Sequence, residues 1–235
     1  MGLHITRNLI GRIEPLRGGA TRSTRSVSLD GHHSSAINRE FFFLQTRTTL
    51  FSGSLRQTQV KGLNVLLDYW ESQHARADDR WLAYALATAH HETDRSMQPI
   101  REYGSDEYKR LKYDVTGSKP DNARRNGNTK PGDGVKYAGR GYVQLTWKNN
   151  YRKAGDALGV ELVARPDDAM QPATAAAILF EGMIDGWFTG RRLADCFNDV
   201  GADWKNARRI VNGVDKADLI KSYGLLYYAA ISYTV

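Results

Sequence analysis

Two glutamates ten positions apart, Glu92 and Glu102, are the residues of this chain whose types and spacing best suit a chemical reaction. Glu92 ends an apolar pattern of helical spacing, and Glu102 follows in a loop. Hydrolysis of a glycosidic bond uses two such carboxyl groups. One protonates the leaving oxygen, and the other, ionised, activates a water on the opposite face of the sugar. The sequence therefore predicts an acid–base pair that the rest of the chain must position.

Glu92 belongs to the apolar face of a predicted helix. It follows Ala89 by three residues and Ala85 by seven, so it continues the stripe that faces the core. Burial disfavours the charged form of a carboxyl group, and a general acid needs its proton near neutral pH. The alternative is a structural ion pair with one of three nearby arginines, Arg95, Arg101 or Arg140.

Glu102 lies in a loop between Pro99 and Gly104, which indicate a fixed turn. Loops of this kind carry catalytic groups on a rigid scaffold. Two other acidic residues, Asp106 and Glu107, are alternatives for the second carboxylate. The simplest alternative for Glu102 itself is an ordinary exposed loop residue.

The adjacent histidines His90 and His91 do not form a metal site. Neighbouring residues of a helix point about 100° apart, so the two rings cannot bind one ion from one face. The zinc-protease pattern needs a histidine where this chain has Arg95. We predict no metal and no cofactor, and we expect one of the two histidines to position Glu92 by hydrogen bonding. The single cysteine, Cys196, excludes a cysteine-based zinc site and an internal disulfide.

The apolar periodicity predicts a mainly helical domain over residues 46–235. The expected helices span about 56–73, 78–94, 148–158, 172–187, 204–211 and 216–231. A glycine-rich loop, 126–142, and a short strand or turn, 143–146, lie between them.

Residues 1–45 differ from the rest and predict an extended basic arm. The first 40 residues contain six arginines and no lysine, with glycine, serine and threonine in the gaps. The apolar run 41–44 is expected to anchor the arm onto the domain. No run of 18 apolar residues exists, so we expect no membrane span, and the start of the chain lacks the apolar core of a secretory signal.

The net charge of +7 favours an anionic partner, such as an acidic glycan, although a solvated basic surface explains it equally well. We do not expect nucleic acid as a partner, because the arginines of the arm are not interleaved with aromatic residues.

Three motifs, in order, resemble those of glycoside hydrolase family 19, which includes chitinases and phage endolysins. The first is His91-Glu92-Thr93. The second is Tyr137-Ala-Gly-Arg-Gly-Tyr-Val-Gln-Leu-Thr146, continued by Asn149-Asn-Tyr151. The third is Ala207-Arg-Arg-Ile-Val-Asn-Gly213. The resemblance covers about residues 55–232 and implies a lysozyme-like, two-lobed helical domain with a substrate cleft and little sheet.

The resemblance also implies roles for residues at matching positions. Glu92 is the acid and Glu102 the base, with Asp106 the remaining alternative for the second carboxylate. The residues implied to bind N-acetyl sugars, hold the attacking water or shape the cleft are His91, Tyr137, Arg140, Gln144, Thr146, Asn150 and Asn212. Arg140 is expected to orient the acid. Gly139 and Gly141 either let the backbone approach the glycan or form a tight turn.

We predict an inverting hydrolase of β-1,4 bonds in an N-acetylhexosamine polymer, with carboxyl groups roughly 6.5–9.5 Å apart. The preferred substrate is bacterial peptidoglycan, cut by a phage-derived lysin made in the host cytoplasm and acting at the cell wall. Chitin is the alternative. An alternative of another class is a virion or tail component, in which residues 1–45 contact phage proteins.

Overall fold

A computed structural model describes residues 36–232, which all belong to one compact unit, His32–Val235. The arm predicted over residues 1–45 therefore lies mostly outside the described residues. The described part is mainly helical, as predicted, with two 3-10 segments, Pro166–Met170 and Asn206–Ile210. The α-helices are α1 Arg39–Thr49, α2 Gln57–Gln73, α3 Asp79–Glu92, α4 Asp106–Tyr113, α5 Pro120–Arg125, α6 Asp133–Lys136, α7 Lys148–Leu158, α8 Pro172–Ile184, α9 Leu193–Cys196 and α10 Ala217–Ile231.

Helix α3 forms the centre of the core. Its nine residues from Leu82 to His90 are all buried, and alternate positions from 83 to 89 are alanine. Small side chains let neighbouring helices approach closely, and α3 packs against α8 and α10, while α10 also packs against α1. The helix begins at Asp78, whose side chain accepts a hydrogen bond from the Arg80 amide. Its carboxyl end places Glu92 at the edge of the core.

The segment after α3 turns sharply and is held against α2. Asp94 and Arg95 adopt positive φ angles of 46° and 61°, which end the helix directly after Glu92. A Cβ atom on Gly62 of α2 would lie 1.7 Å from the Met97 carbonyl oxygen, so only glycine permits this approach. The Gln59 side chain also donates to the Arg95 carbonyl at 2.9 Å.

The sheet content of the described residues is small. Four strands of two residues each form two antiparallel pairs, β1 Ile100–Arg101 with β2 Arg140–Gly141 and β3 Phe197–Asn198 with β4 Gly201–Ala202. Pairing of β1 with β2 brings the next residue, Glu102, to the Gly139 backbone, where the Glu102 amide donates to the Gly139 carbonyl at 2.8 Å.

Helix α1 spans the boundary that the sequence placed at residue 45. Phe42 of α1 is fully buried and its ring stacks on Tyr227 of α10 at 6.2 Å, whereas Leu44 of the same apolar run is 50% exposed. No helix among residues 36–232 is long and apolar enough to cross a membrane.

Two other sequence predictions differ from the structure. Instead of a helix over 204–211, the chain forms a 3-10 segment at Asn206–Ile210. The glycine-rich loop 126–142 contains the short helix α6 as well as β2.

Candidate active site

A cleft of about 370 Å³ collects most of the polar residues that the sequence singled out. It is lined by the end of α3, the segment from residue 143 to 150 and the chain around residue 212, together with Tyr113 at the end of α4 and Phe188 after α8. Its lining residues are Glu92, Tyr113, Val143, Gln144, Leu145, Thr146, Trp147, Asn150, Phe188, Val211 and Asn212. A cleft with one acidic group and several amide and hydroxyl groups suits a neutral polar ligand.

Glu92 is fixed in the cleft by an arginine from a distant part of the chain. Arg208 Nη1 donates to Glu92 Oε1 at 2.6 Å, and the two side chains are 4% and 17% exposed respectively. Arg208 Nε donates to the Asp215 carbonyl, which fixes the guanidinium from the other side. Glu92 Oε2 accepts no hydrogen bond from any described residue, so this oxygen remains free for a ligand.

The ion pair of Glu92 does not involve any of the three arginines that the sequence suggested. The partner is Arg208, from the 3-10 segment, and not Arg95, Arg101 or Arg140. The sequence signal for it was the arginine pair in the motif 207–213, from which only Asn212 was selected as a site residue.

Glu102 accepts hydrogen bonds from three donors. Its Oε1 accepts from Tyr113 Oη at 2.7 Å and from Lys112 Nζ at 3.0 Å, and its Oε2 accepts from the Gly139 amide at 3.1 Å. The Glu102 side chain is 16% exposed, so it is not an ordinary exposed loop residue. Donors on both carboxyl oxygens therefore fix the position of Glu102, and a general base must be held in position.

Tyr113 connects Glu102 to the cleft. Glu102 itself is not a lining residue, whereas Tyr113 lines the cleft and donates to it. Burial raises the pKa of Tyr113 to about 12, and the nearby Glu102 carboxylate acts in the same direction. Tyr113 therefore keeps its proton at neutral pH and remains a donor. The alternative carboxylate, Asp106, is exposed in the first turn of α4.

Position 139 requires glycine because the Glu102 and Gln144 side chains occupy the space that a larger residue would need. A Cβ atom on Gly139 would lie 2.8 Å from Gln144 Oε1 and 3.3 Å from the Glu102 Cβ atom. Gly141 has a φ of +84°, as in a tight turn. Of the two explanations offered for these glycines, the structure supports close packing and a turn.

Three side chains of the cleft bind backbone groups through their donors and leave their oxygens open. Gln144 Nε2 donates to the Ile100 carbonyl at 3.2 Å, and Thr146 Oγ1 donates to the Gln144 carbonyl at 2.7 Å. Asn150 Nδ2 donates to the Thr146 carbonyl at 2.8 Å. The three side-chain oxygens accept no hydrogen bond from any described residue, so the cleft offers acceptors to hydroxyl and amide donors of a ligand.

The backbone around the cleft is unusual. Seven non-glycine residues in the described part of the chain have positive φ angles, and five of them flank the site. Three follow Glu92 directly (Asp94, Arg95 and Met97), and two line the cleft (Gln144 and Trp147). Such conformations are costly for residues with side chains and cluster at functional sites.

Tyr137 and Arg140 lie outside the cleft, which differs from the roles that the resemblance implied. Tyr137 is buried and its hydroxyl donates to the Val163 carbonyl at 3.1 Å. Arg140 is also buried, and it donates to Asp167 Oδ1 at 2.8 Å and to the Tyr151 hydroxyl at 2.9 Å. Both residues therefore stabilise the segment that carries Gln144, and neither is a lining residue.

The adjacent histidines His90 and His91 both lie outside the cleft lining. His90 is fully buried and its Nδ1 lies 3.0 Å from the Tyr227 hydroxyl, so it does not position Glu92. Burial lowers the pKa of His90 to about 4. His91 is half-buried next to Glu92 but is not a lining residue, and burial lowers its pKa as well. No group of three or more potential metal ligands occurs between residues 36 and 232.

A protein-family model matches most of the described chain, including the cleft residues. The glycoside hydrolase family 19 model, described as chitinase class I, matches residues 64–224. The chain is 52% identical to acidic endochitinase Q of Nicotiana tabacum over 54 residues, which is 23% of this chain and 20% of that protein. It is 45% identical to inactive chitinase-like protein 1 of Hevea brasiliensis over 56 residues, 24% of this chain and 17% of that protein. The matched segments thus span about a fifth of these relatives.

Solved structures support the fold. Chitinase C from Streptomyces griseus HUT6037 superposes with a TM-score of 0.57 at 21% identity, covering 89% of this chain and 80% of that one. A mutant of chitinase C superposes with a TM-score of 0.52 at 22% identity, covering 88% of this chain and 97% of that one. At this identity the likeness establishes the mainly helical fold.

Proposed function

The chain belongs to glycoside hydrolase family 19, and on this basis we propose that it hydrolyses β-1,4 bonds between N-acetylglucosamine units of chitin-like glycans. The observation that carries the proposal is the Glu92–Arg208 pair at the edge of a cleft that otherwise presents amide and hydroxyl groups. The relatives described as endochitinases favour chitin over peptidoglycan, the substrate that the sequence analysis preferred.

Glu92 is the general acid in this proposal. Arg208 holds Oε1, so the free oxygen, Oε2, carries the proton and delivers it to the glycosidic oxygen as the bond breaks. Loss of the proton leaves a carboxylate beside a buried guanidinium. The charge that develops on Glu92 is therefore stabilised where it forms.

Glu102 is the general base. Tyr113, Lys112 and the Gly139 amide all donate to its carboxyl group and hold it in place. In the proposed reaction it takes a proton from a water that attacks the anomeric carbon, and Thr146 helps to hold that water. Attack on the face opposite the leaving group inverts the anomeric configuration.

Recognition of the sugar falls to the open acceptor oxygens of the cleft. Gln144, Thr146 and Asn150 each keep a side-chain oxygen available, and N-acetyl sugars supply hydroxyl and amide donors. The exposed Asn212 side chain also lines the cleft; its Oδ1 accepts from the Gly213 amide, and its amide nitrogen donates to no described residue. Together they match a neutral acetamido sugar better than an anionic one.

Peptidoglycan is the second candidate substrate. The net charge of +7 supports it, because bacterial cell walls are anionic. A role of residues 1–45 in contacts with phage proteins remains a prediction, since these residues lie mostly outside the described part of the chain.

A substrate panel with a stereochemical readout tests the proposal. The protein is incubated with N-acetylglucosamine oligomers and, separately, with purified murein sacculi, and the anomer of each fresh product is followed by proton NMR. We expect release of the α-anomer from the oligomers and faster turnover of oligomers than of sacculi. Turnover of sacculi alone would favour peptidoglycan, and β-anomer release would contradict the inverting mechanism.

A further inference from the structure

An exposed apolar patch lies directly beside the base, Glu102. Three of the eight large apolar side chains exposed in the described part of the chain fall within nine residues: Tyr103, Tyr108 and Leu111, which are 74%, 45% and 56% exposed. We call these three residues the tyrosine platform. Exposed aromatic groups concentrated in one place mark a binding surface more often than a chance feature.

The local structure explains why the platform forms. Tyr108 and Leu111 are three positions apart on α4, so they share one face of that helix. Gly104, the residue after Tyr103, packs against the Tyr108 ring, because a Cβ atom on Gly104 would lie 2.7 Å from that ring. With a φ of +104°, Gly104 also makes the turn that leads from Glu102 into α4.

The platform is continuous with the cleft. Lys112 Nζ lies 5.2 Å from the centre of the Tyr108 ring and 3.0 Å from Glu102 Oε1. It also lies 4.7 Å from the centre of the Tyr113 ring, and Tyr113 meets the Trp147 ring edge-on at 4.9 Å. Tyr113 and Trp147 both line the cleft. Lys112 therefore bridges the Tyr108 ring of the platform and the Tyr113 ring of the cleft, beside Glu102.

We propose that the tyrosine platform is an additional sugar-binding subsite, on which a glycan chain that extends from the cleft stacks beyond Glu102. The inference rests on the proposed function, since it assumes that the ligand of the cleft is a glycan. The apolar C–H faces of pyranose rings pack on tyrosine rings, while the phenol hydroxyl groups bind sugar hydroxyls. A glycan is favoured over a protein partner because the platform continues the cleft. The expected consequence is a preference for long oligomers.

Binding measurements with oligomers of two lengths test the platform. The trimer and hexamer of N-acetylglucosamine are titrated calorimetrically into the Glu92→Gln protein, with and without Tyr103→Ala. Tyr103 is the better target because the Tyr108 ring also contacts Lys112, which pairs with the base. We expect Tyr103→Ala to weaken hexamer binding roughly ten-fold and trimer binding less than two-fold, and we expect Tyr103→Phe to retain most of the affinity.

Val200→Ala is the matched control, since Val200 is 99% exposed in the β3–β4 turn and lies outside the cleft lining. An equal loss for trimer and hexamer, or no loss for either, would overturn the platform. Hydrolysis of the same oligomers by the protein with its native Glu92 tests the proposed function separately. If the protein hydrolyses the hexamer but Tyr103→Ala leaves the ratio of hexamer to trimer affinity unchanged, the platform is rejected and the proposed function is retained.

Discussion

Arg208 donates to Glu92 at 2.6 Å across 116 positions of sequence, and this contact joins the end of the central helix to the 3-10 segment Asn206–Ile210. Both partners are largely buried. The contact serves two purposes. It ties the C-terminal part of the domain to its core, and it leaves one oxygen of Glu92 free to face the cleft.

Removing the guanidinium should damage both stability and activity. In Arg208→Met, the largely buried Glu92 side chain loses its hydrogen bond from a charged group, and such bonds contribute about 1.5–3 kcal/mol. We expect urea denaturation to show a loss of this order and turnover of the chitin hexamer to fall at least 100-fold. Arg209→Met is the matched control, because the Arg209 side chain is exposed and its one hydrogen bond to a described residue is a 3.4 Å contact with Asn206. Equal effects of the two substitutions would mean that the Glu92 contact has no special importance.

The Tyr113 hydroxyl should matter for catalysis through Glu102. Tyr113→Phe removes a 2.7 Å hydrogen bond to a carboxylate, and such bonds contribute about 1.5–3 kcal/mol. We expect turnover to fall roughly ten-fold or more while the protein stays folded. Tyr137→Phe removes a hydroxyl that donates to the Val163 carbonyl away from the cleft, so it should lower stability and leave turnover nearly unchanged. Unchanged turnover in Tyr113→Phe together with reduced turnover in Tyr137→Phe would exclude Tyr113 from the site.

Glycine at position 139 should be required for the position of Glu102. In Gly139→Ala the new methyl group would contact Gln144 Oε1 at 2.8 Å, so Gln144 or the β1–β2 pair must shift. Overpacking of this kind costs about 1–3 kcal/mol, and we expect a larger effect on turnover than on stability. Gly201→Ala has no atom within 4 Å of the new methyl group and should behave like the unmodified protein in thermal unfolding and turnover. Full activity of Gly139→Ala would be inconsistent with the described packing.

His90 should make the fold sensitive to mild acid. Burial lowers the pKa of His90 in the folded state to about 4, whereas the unfolded chain binds the proton with the ordinary histidine pKa of about 6.5. As the pH falls from 6.5 to 4, the unfolded state takes up a proton that the folded state does not, so stability decreases, by roughly 3 kcal/mol in total. Above pH 6.5 this contribution does not change with pH.

The check is the free energy of unfolding at pH 7 and pH 4.5 for the unmodified protein and for His90→Phe. We expect the free energy of unfolding to fall less between pH 7 and pH 4.5 in His90→Phe than in the unmodified protein, by more than 1 kcal/mol. His91→Phe should change it less, because His91 is only half-buried. An identical pH dependence in all three proteins would show that His90 does not resist protonation.

The sequence predicted the parts of the fold that depend on local periodicity. Helices α2, α3, α7, α8 and α10 lie where apolar spacing placed them, within a few residues. Helix α4 was not predicted, because its sequence is mostly polar and it buries only Lys109 and Tyr113. Its position follows from the Ser105 cap and from contacts with α6, which periodicity does not record.

The motifs placed several polar residues in one cleft, while the catalytic roles of Glu92 and Glu102 remain predictions. Glu92, Gln144 and Asn212 line one cleft, as the motifs implied. The partners Arg208 and Tyr113 were missed, and the implied role of Arg140 in orienting the acid belongs by geometry to Arg208. Contacts between residues more than 100 positions apart depend on the packing of the whole chain, and no single motif reports them.

The most direct test of the account is the turnover of the chitin hexamer by Glu92→Gln compared with the unmodified protein, at equal concentration and with folding verified by circular dichroism. Glutamine keeps the size of the side chain and its contact with Arg208 but supplies no acidic proton. The account predicts that turnover falls about 1,000-fold, within the range that a positioned general acid contributes, while hexamer binding is retained. Turnover within a factor of ten of the unmodified protein would contradict the assignment of Glu92 as the proton donor.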